Sequence, residues 1–301
     1  MRVVPPLPIT DSVLTSSTCA EPHASETAYA AGTSYAIDDV VVVAAEHKTY
    51  QSLQAANTGH APASSPAWWL DIGASNRWKM FDLLRNTQTE QASPLTVVIT
   101  PGVRVNSLVL LGLIADAVAV SIDSGGATVY EHTQNLSTRE VLDWYDYFFE
   151  PFTHQVSVAL FDLPPYTDAV VTAAITSASG NVKCGSLVIG TYVYIGEVDH
   201  NAESDALNFS VVERNVFGDS LLIPRRSVPK TNQTVWCKKD RVDKVRELRT
   251  LLNAAPAFWS GVDDSADGWY EALAILGYYR RFTINITQPD DAVITLELEE
   301  I

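Results

Sequence analysis

The sequence is short of cysteine, of basic residues and of long apolar runs, and each shortage closes off a class of function. Only three of its 301 residues are cysteine: Cys19, Cys184 and Cys237. They are far apart, odd in number and form no Cys-x-x-Cys pair, so a disulfide framework, a zinc site and a dithiol site are all unsupported. We read them as buried or idle thiols in a reducing compartment. Basic residues number 20 against 36 acidic ones, a formal charge of −16. A surface this negative is poorly suited to nucleic acid, which is held by counterion release, or to an anionic membrane. The most apolar stretch, residues 103–122, is interrupted by Arg104, Asn106, Ser107 and Asp116, so it is read as one or two buried strands and not as a bilayer span. The opening residues, from Met1 to Pro8, have neither a long apolar core nor a small-residue cleavage site, and no signal peptide is expected. Four sequons, at Asn135, Asn208, Asn232 and Asn285, carry no weight without one.

Signatures of catalysis are missing as well. The six histidines are scattered with no ligand spacing, and there is no Gly-x-Gly-x-x-Gly and no P-loop. Asp123-Ser124-Gly125-Gly126 resembles the nucleophile loop of serine proteases but has Ile122 where that loop has glycine, and a hairpin turn is the better reading. Asp263, Ser265, Asp267 and Gly268 match the start of a calcium loop, but position twelve falls on Ala274 and the bidentate glutamate is absent, so a solvated turn is expected. Paired carboxylates for glycoside hydrolysis need only meet in space, and the sequence nominates no pair. We therefore expect no enzyme, no catalytic residue, no metal and no cofactor.

What remains is mostly β. Residues 1–28, rich in Pro, Ser and Thr, read as an extended arm or linker. Residues 29–73 read as a small β-module, with strand-length runs at Asp39–Val43 and Thr49–Leu53. Residues 74–200 hold strand-length runs at 95–100, 107–111, 118–122, 155–160, 170–176 and 187–190, the pattern of a β-sandwich or jelly roll, with one short helix over 138–147. Residues 201–301 read as an α+β domain, with strands at Phe209–Glu213, Leu273–Leu276, Phe282–Ile286 and Val293–Leu298. Its helix is expected to be capped by Asp240, to place Val242, Val245, Leu248, Leu251 and Leu252 on one face, to stop before Pro256, and to lie on an antiparallel sheet. Basic residues concentrate in this last third. Arg225, Arg226, Lys238, Lys239 and Arg241 are the candidate assembly surface; the plainer alternative is a solvated face.

Tyr35-Ala-Ile-Asp-Asp39-Val-Val41, His47-Lys-Thr-Tyr50, Gly59-His-Ala-Pro62 and Pro66-Ala-Trp68 together resemble the small chitin-binding modules of carbohydrate-binding families 5 and 12. The resemblance covers about forty residues and implies a compact β-fold with a core of stacked aromatics. Asp38 and His47 stand where that pattern has glycine. The stretch after Tyr50, residues 51–57, lacks the family's sugar-binding rings, so the resemblance implies the fold more than the binding. Tyr35, Tyr50, Trp68 and Trp69 are the candidate carbohydrate-contacting rings. For Trp69 an exposed platform is weighed against packing on the next domain.

Such modules also occur in tail proteins of bacteriophages, and three further segments resemble tail and baseplate proteins: Asp71–Asp82, Leu163–Thr167 with Lys183–Gly190, and the closing strand Ile294–Ile301. The middle domain looks like a galactose-binding-type jelly roll. Together these resemblances imply a structural protein of a tailed-phage virion, made in the bacterial host cytoplasm and sited in the distal tail or baseplate. Its implied partners are other tail or baseplate proteins, further copies of itself in a ring or trimer, and a host-surface glycan, with no nucleic acid and no membrane insertion. A receptor-binding protein gripping host carbohydrate is the first alternative, and a glycan-cleaving enzyme with accessory modules is the second.

Overall fold

The computed structural model describes residues 1–138, 143–150, 153–178, 180–262, 270–286 and 288–301. The expected mostly β architecture is present: antiparallel sheets make up the body, and the longest helix, Val242–Leu251, lies near the C-terminus. The Asp263–Gly268 segment and residues 139–142 of the expected 138–147 helix lie outside the described residues.

The small module is a three-stranded antiparallel sheet of Val40–Val43, Lys48–Ser52 and Trp69–Ala74. Its core is Tyr35, Val41, Tyr50 and Trp69, with Tyr29, Val43 and Trp68 packed on it. A module this small has too few aliphatic residues for a core, and large rings fill the space.

Two sheets form the middle sandwich. One has five strands in the order Ala127–Asn135, Ala117–Ser124, Val170–Thr176, Leu95–Ile99, Leu14–Ser17; the other sets Ser107–Leu111 between Ser157–Leu160 and Ser186–Gly190. Burial in the five-stranded sheet alternates, with Leu95, Val97, Ile99, Val118, Val120 and Ile122 pointing inward. Ser107–Leu111 is buried at every position. Leu108 and Leu110 join the sandwich core, while Val109 and Leu111 pack with Ala159 and Val188 against Phe258, Tyr270 and Leu276 of the C-terminal part. A strand covered on both faces reads as a continuous apolar run, which is why residues 107–111 show no alternation.

The C-terminal sheet runs Val193–Tyr194, Arg2–Val4, Ala257–Ser260, Ala274–Asn285, Asp291–Glu300, Ser227–Lys238, Glu197–Val198, with Glu203–Asn208 also paired to Ser227–Lys238. One face meets the sandwich; the other carries the helix through Val245, Leu248 and Leu252. The molecule is therefore layered as sheet, sheet, sheet, helix, with the small module attached.

Several expectations need correction. Residues 1–28 are not a free arm. Arg2–Val4 sits inside the C-terminal sheet, with Val3 facing the helix and Val4 facing the sandwich, and Leu14–Ser17 pairs with Leu95–Ile99. Strands of three and four residues are too short to show a period, and proline and serine dominate the composition of this stretch. The boundary at residue 200 also shifts, because Val193–Tyr194 and Glu197–Val198 belong to the C-terminal sheet. Asp240 does not cap the helix: it lies in a 3-10 turn, Lys239–Arg241, and the helix then starts with no side-chain cap. Leu251 is exposed. Leu273–Leu276 straddles a helical turn, Tyr270–Leu273, and the strand starting at Ala274. Asp123–Gly126 is the tight hairpin turn between Ala117–Ser124 and Ala127–Asn135, with Gly125 and Gly126 both at positive φ.

Candidate functional site

Three of the four candidate carbohydrate-contacting rings are structural. Tyr35, Tyr50 and Trp69 are buried in the module's own core. Trp69 packs edge-on against Tyr29 and Tyr35 and donates its indole N–H to the His60 carbonyl at 2.8 Å. It is thus neither an exposed platform nor a packing residue for the next domain. Trp68 is half-buried, with the His60 ring stacked on one face at 3.9 Å between centroids. Of the four, only Trp68 keeps part of its ring exposed, and one face of that ring is already covered by His60.

A groove of about 500 Å³ lies beside this core, lined among others by Glu46, Lys48, Tyr50, Pro62, Pro66 and Asp71. Its polar groups already satisfy one another. The Tyr50 hydroxyl donates to Glu46 at 2.6 Å, and Lys48 pairs with Asp71. The Lys48 ammonium holds the Asp71 carboxyl below the usual carboxylate range, and burial pushes the Tyr50 phenol up. The site has the shape of a shallow subsite and little unspent hydrogen-bonding capacity.

The five basic candidates are all exposed, but they do not form one positive patch. Arg226 pairs with Glu300 at 3.0 Å and donates to the Ile301 carbonyl. Lys238 pairs with Asp291 at 2.8 Å, and Arg241 lies over the Tyr194 ring at 5.2 Å. Lys238 and Arg241 line a groove of about 420 Å³ together with Trp236, Glu197 and Asp291, so its charge is balanced. Arg225 sits at the base of a projecting hairpin, where its amide N–H donates to Ser210 Oγ. Among the described residues no group of three or more His, Cys, Asp and Glu side chains is placed to hold a metal ion.

Two elements that overlap the helix expected over 138–147 and the strand expected at Phe209–Glu213 carry exposed apolar surfaces not expected from the sequence. The first is a helical turn, Trp144–Phe149, raised on the short ladder of Ser137–Thr138 with Thr153–His154. Trp144 is 79% exposed, Phe148 and Phe149 are each 68% exposed, and Tyr145 is exposed beside them. The Asp143 carboxylate caps the turn by accepting from the Tyr145 and Asp146 amides at 2.7 and 3.0 Å. The second is the hairpin of Val211–Arg214 with Ser220–Ile223. Val216 is 94% and Phe217 86% exposed at its tip, and Val212, Leu221 and Leu222 are exposed along it. The signal for the first was there to read: five aromatics in six residues cannot share one helical face, so packing from one side cannot bury them all. The hairpin gave only a short apolar run with no alternation.

Comparison of the chain with protein-family models, with curated proteins and with solved structures finds no match.

Proposed function

We propose that the chain is a structural subunit of a tailed-phage virion, in the distal tail or baseplate, which works by assembly and not by chemistry. The observation that carries this reading is the pair of ordered apolar projections on an acidic, layered β-body. Single exposed apolar residues are ordinary, but contiguous exposed rings on a defined element mark a contact surface. The resemblance to the small chitin-binding modules, which also occur in phage tail proteins, gains physical support at two residues. Asp38 and His47, which replace the pattern's glycines, have φ of 69° and 57°, the left-handed region where glycine is the default and Asp or His among the tolerated exceptions.

Recognition of host carbohydrate is the weaker reading, because the module's rings are spent on its core. The full chain is accordingly expected to pass over chitin beads without retention, and retention released by soluble chitooligosaccharide would reverse the order of the two readings. The tail reading is tested by mass spectrometry and immunogold labelling of virions purified from the host. The expected result is label at the distal tail; the absence of the chain from intact particles would overturn it.

A further inference from the structure

We propose that the aromatic knob, Trp144–Phe149, docks onto the Val211–Ile223 hairpin of a second copy of this chain, giving a head-to-tail contact. The inference rests on the assembly reading above and names the contact that would carry it.

Both elements are built for display. The hairpin tip is tied by the Asn215 amide donating to the Asp219 carbonyl at 3.0 Å and by the Phe217 and Asp219 amides donating to Asn215 Oδ1 at 3.0 and 2.9 Å. An ordered turn that holds Phe217 out in solvent presents that ring to something else. An isolated two-stranded hairpin is also marginal in water and gains stability when a face is covered. Val212 and Leu222 are register partners, and Arg214 lies two residues along on the same face, so that face offers aliphatic surface beside a cation. The knob offers the complement, aromatic rings flanked by Asp143 and Glu150. Arginine packs favourably on aromatic faces and pairs with carboxylates.

Charge chooses between the symmetric and the head-to-tail arrangement. Two knobs face to face would set Asp143 and Glu150 of each copy against the same carboxylates of the other, which is unfavourable. Knob on hairpin sets those acids against Arg214, while Glu213 lies on the hairpin's opposite face and the Asp219 carboxylate accepts from the Asn215 side-chain amide at 3.0 Å. The area fits a weak, concentration-dependent contact: the knob rings that can face one partner present roughly 500 Å² and the hairpin side chains a few hundred more, together roughly 800 Å². A contact between two different patches does not consume both ends, so it propagates into a ring or a filament.

The test is sedimentation velocity on the full chain and on two variants, Phe148→Ser/Phe149→Ser in the knob and Phe217→Ser/Leu222→Ser in the hairpin. All four positions are exposed, and far-UV circular dichroism checks the fold. Wild type should assemble with rising concentration, and each variant alone should be monomeric. An equimolar mixture of the two should give a dimer and nothing larger, because it holds one intact knob facing one intact hairpin. A mixture that stays monomeric, or a hairpin variant that still dimerises, would overturn the proposal in favour of no contact or of a knob–knob contact. A charge pair gives a second readout that leaves the apolar residues in place: Glu150→Arg should weaken assembly at least several-fold, and mixing it with Arg214→Glu should recover it. Wild type that remains monomeric yet floats with phosphatidylcholine vesicles, with binding lost in the knob variant, would assign the rings to lipid and overturn the contact. Monomers in solution with the chain present in virions would sink this contact alone. Assembly in solution with the chain absent from virions would sink the tail reading alone.

Discussion

Glu21 is almost fully buried, and its carboxylate gathers three donors from two other stretches of chain: His47 Nδ1 at 3.0 Å, the Trp78 indole at 2.8 Å and the Ser75 hydroxyl. The His47 ring stacks on Trp78 at 4.0 Å. One side chain thus fastens the small module to the segment before it and to the sandwich after it. Removing the acceptor would orphan buried donors, and that costs more than the bond itself contributes. Glu21→Ala should destabilise the protein by about 1–3 kcal/mol, read as a shift in the urea midpoint followed by tryptophan fluorescence; a change under about 0.5 kcal/mol, the level of an ordinary surface substitution, would show that the fastening is dispensable. The thiols give a second prediction at this scale. Burial pushes Cys184 up to about 12 and Cys19 up to about 11, from an ordinary 9.0. Above pH 9 the unfolded chain releases these protons while the folded chain keeps them. The unfolded state then binds fewer protons, so stability falls as pH rises from 9 toward 12. Denaturation midpoints of wild type and Cys184→Ala, compared at pH 8 and pH 10, should show the steeper decline in wild type; parallel declines would exclude Cys184 as a contributor.

The helix Val242–Leu251 shows what period alone can and cannot reveal. Its spacing marks 242, 245, 248, 251 and 252 as one inward face, and Val245, Leu248 and Leu252 are buried while Val242 is half-buried. Leu251 shares the apolar count but points to water, because the sheet covers a narrower stripe than the sequence offers. Leu248→Ala should cost about 2–5 kcal/mol and Leu251→Ala less than about 0.5 kcal/mol, checked by chemical denaturation of both variants; equal losses would mean that the helix rotates to bury both. The same logic separates what could be read of the other elements. The strands at 107–111 and 170–176 were legible to the residue because they carry long apolar or alternating patterns. Arg2–Val4 was not, since three residues between partners distant in sequence hold no period. The candidate rings were recognisable as a set, but no sequence pattern distinguishes a ring that stacks on a sugar from one that stacks on its neighbours. Tyr35, Tyr50 and Trp69 proved to be the second kind.

The charge of −16 resolves into two parts at the level of the whole molecule: residues 201–301 hold 12 basic and 16 acidic residues, a net of −4, which leaves −12 for residues 1–200. The balanced part is also the most thoroughly joined. Phe258, Tyr270 and Leu276 share a core with Val109, Leu111 and Val188 of the sandwich. Ser157 donates to Glu271 across the same junction, and the buried Glu300 pairs with Arg85 on one side and Arg226 on the other. Gly190 sits at the seam, where the Pro5 carbonyl approaches so closely that a Cβ could not be accommodated without backbone movement. A chain whose sandwich and C-terminal sheet share one core, with strand Arg2–Val4 threaded through it, should unfold as one unit and not domain by domain. Calorimetry of the full chain is expected to give a single transition, with calorimetric and van't Hoff enthalpies in agreement and with near-ultraviolet dichroism and tryptophan fluorescence coinciding. Gly190→Ala should lower that one transition as a whole, by about 1–3 kcal/mol, because the seam it strains belongs to both halves. Two resolved transitions, of which Gly190→Ala moves only one, would show that the sandwich folds independently and that the shared core is a contact between finished domains.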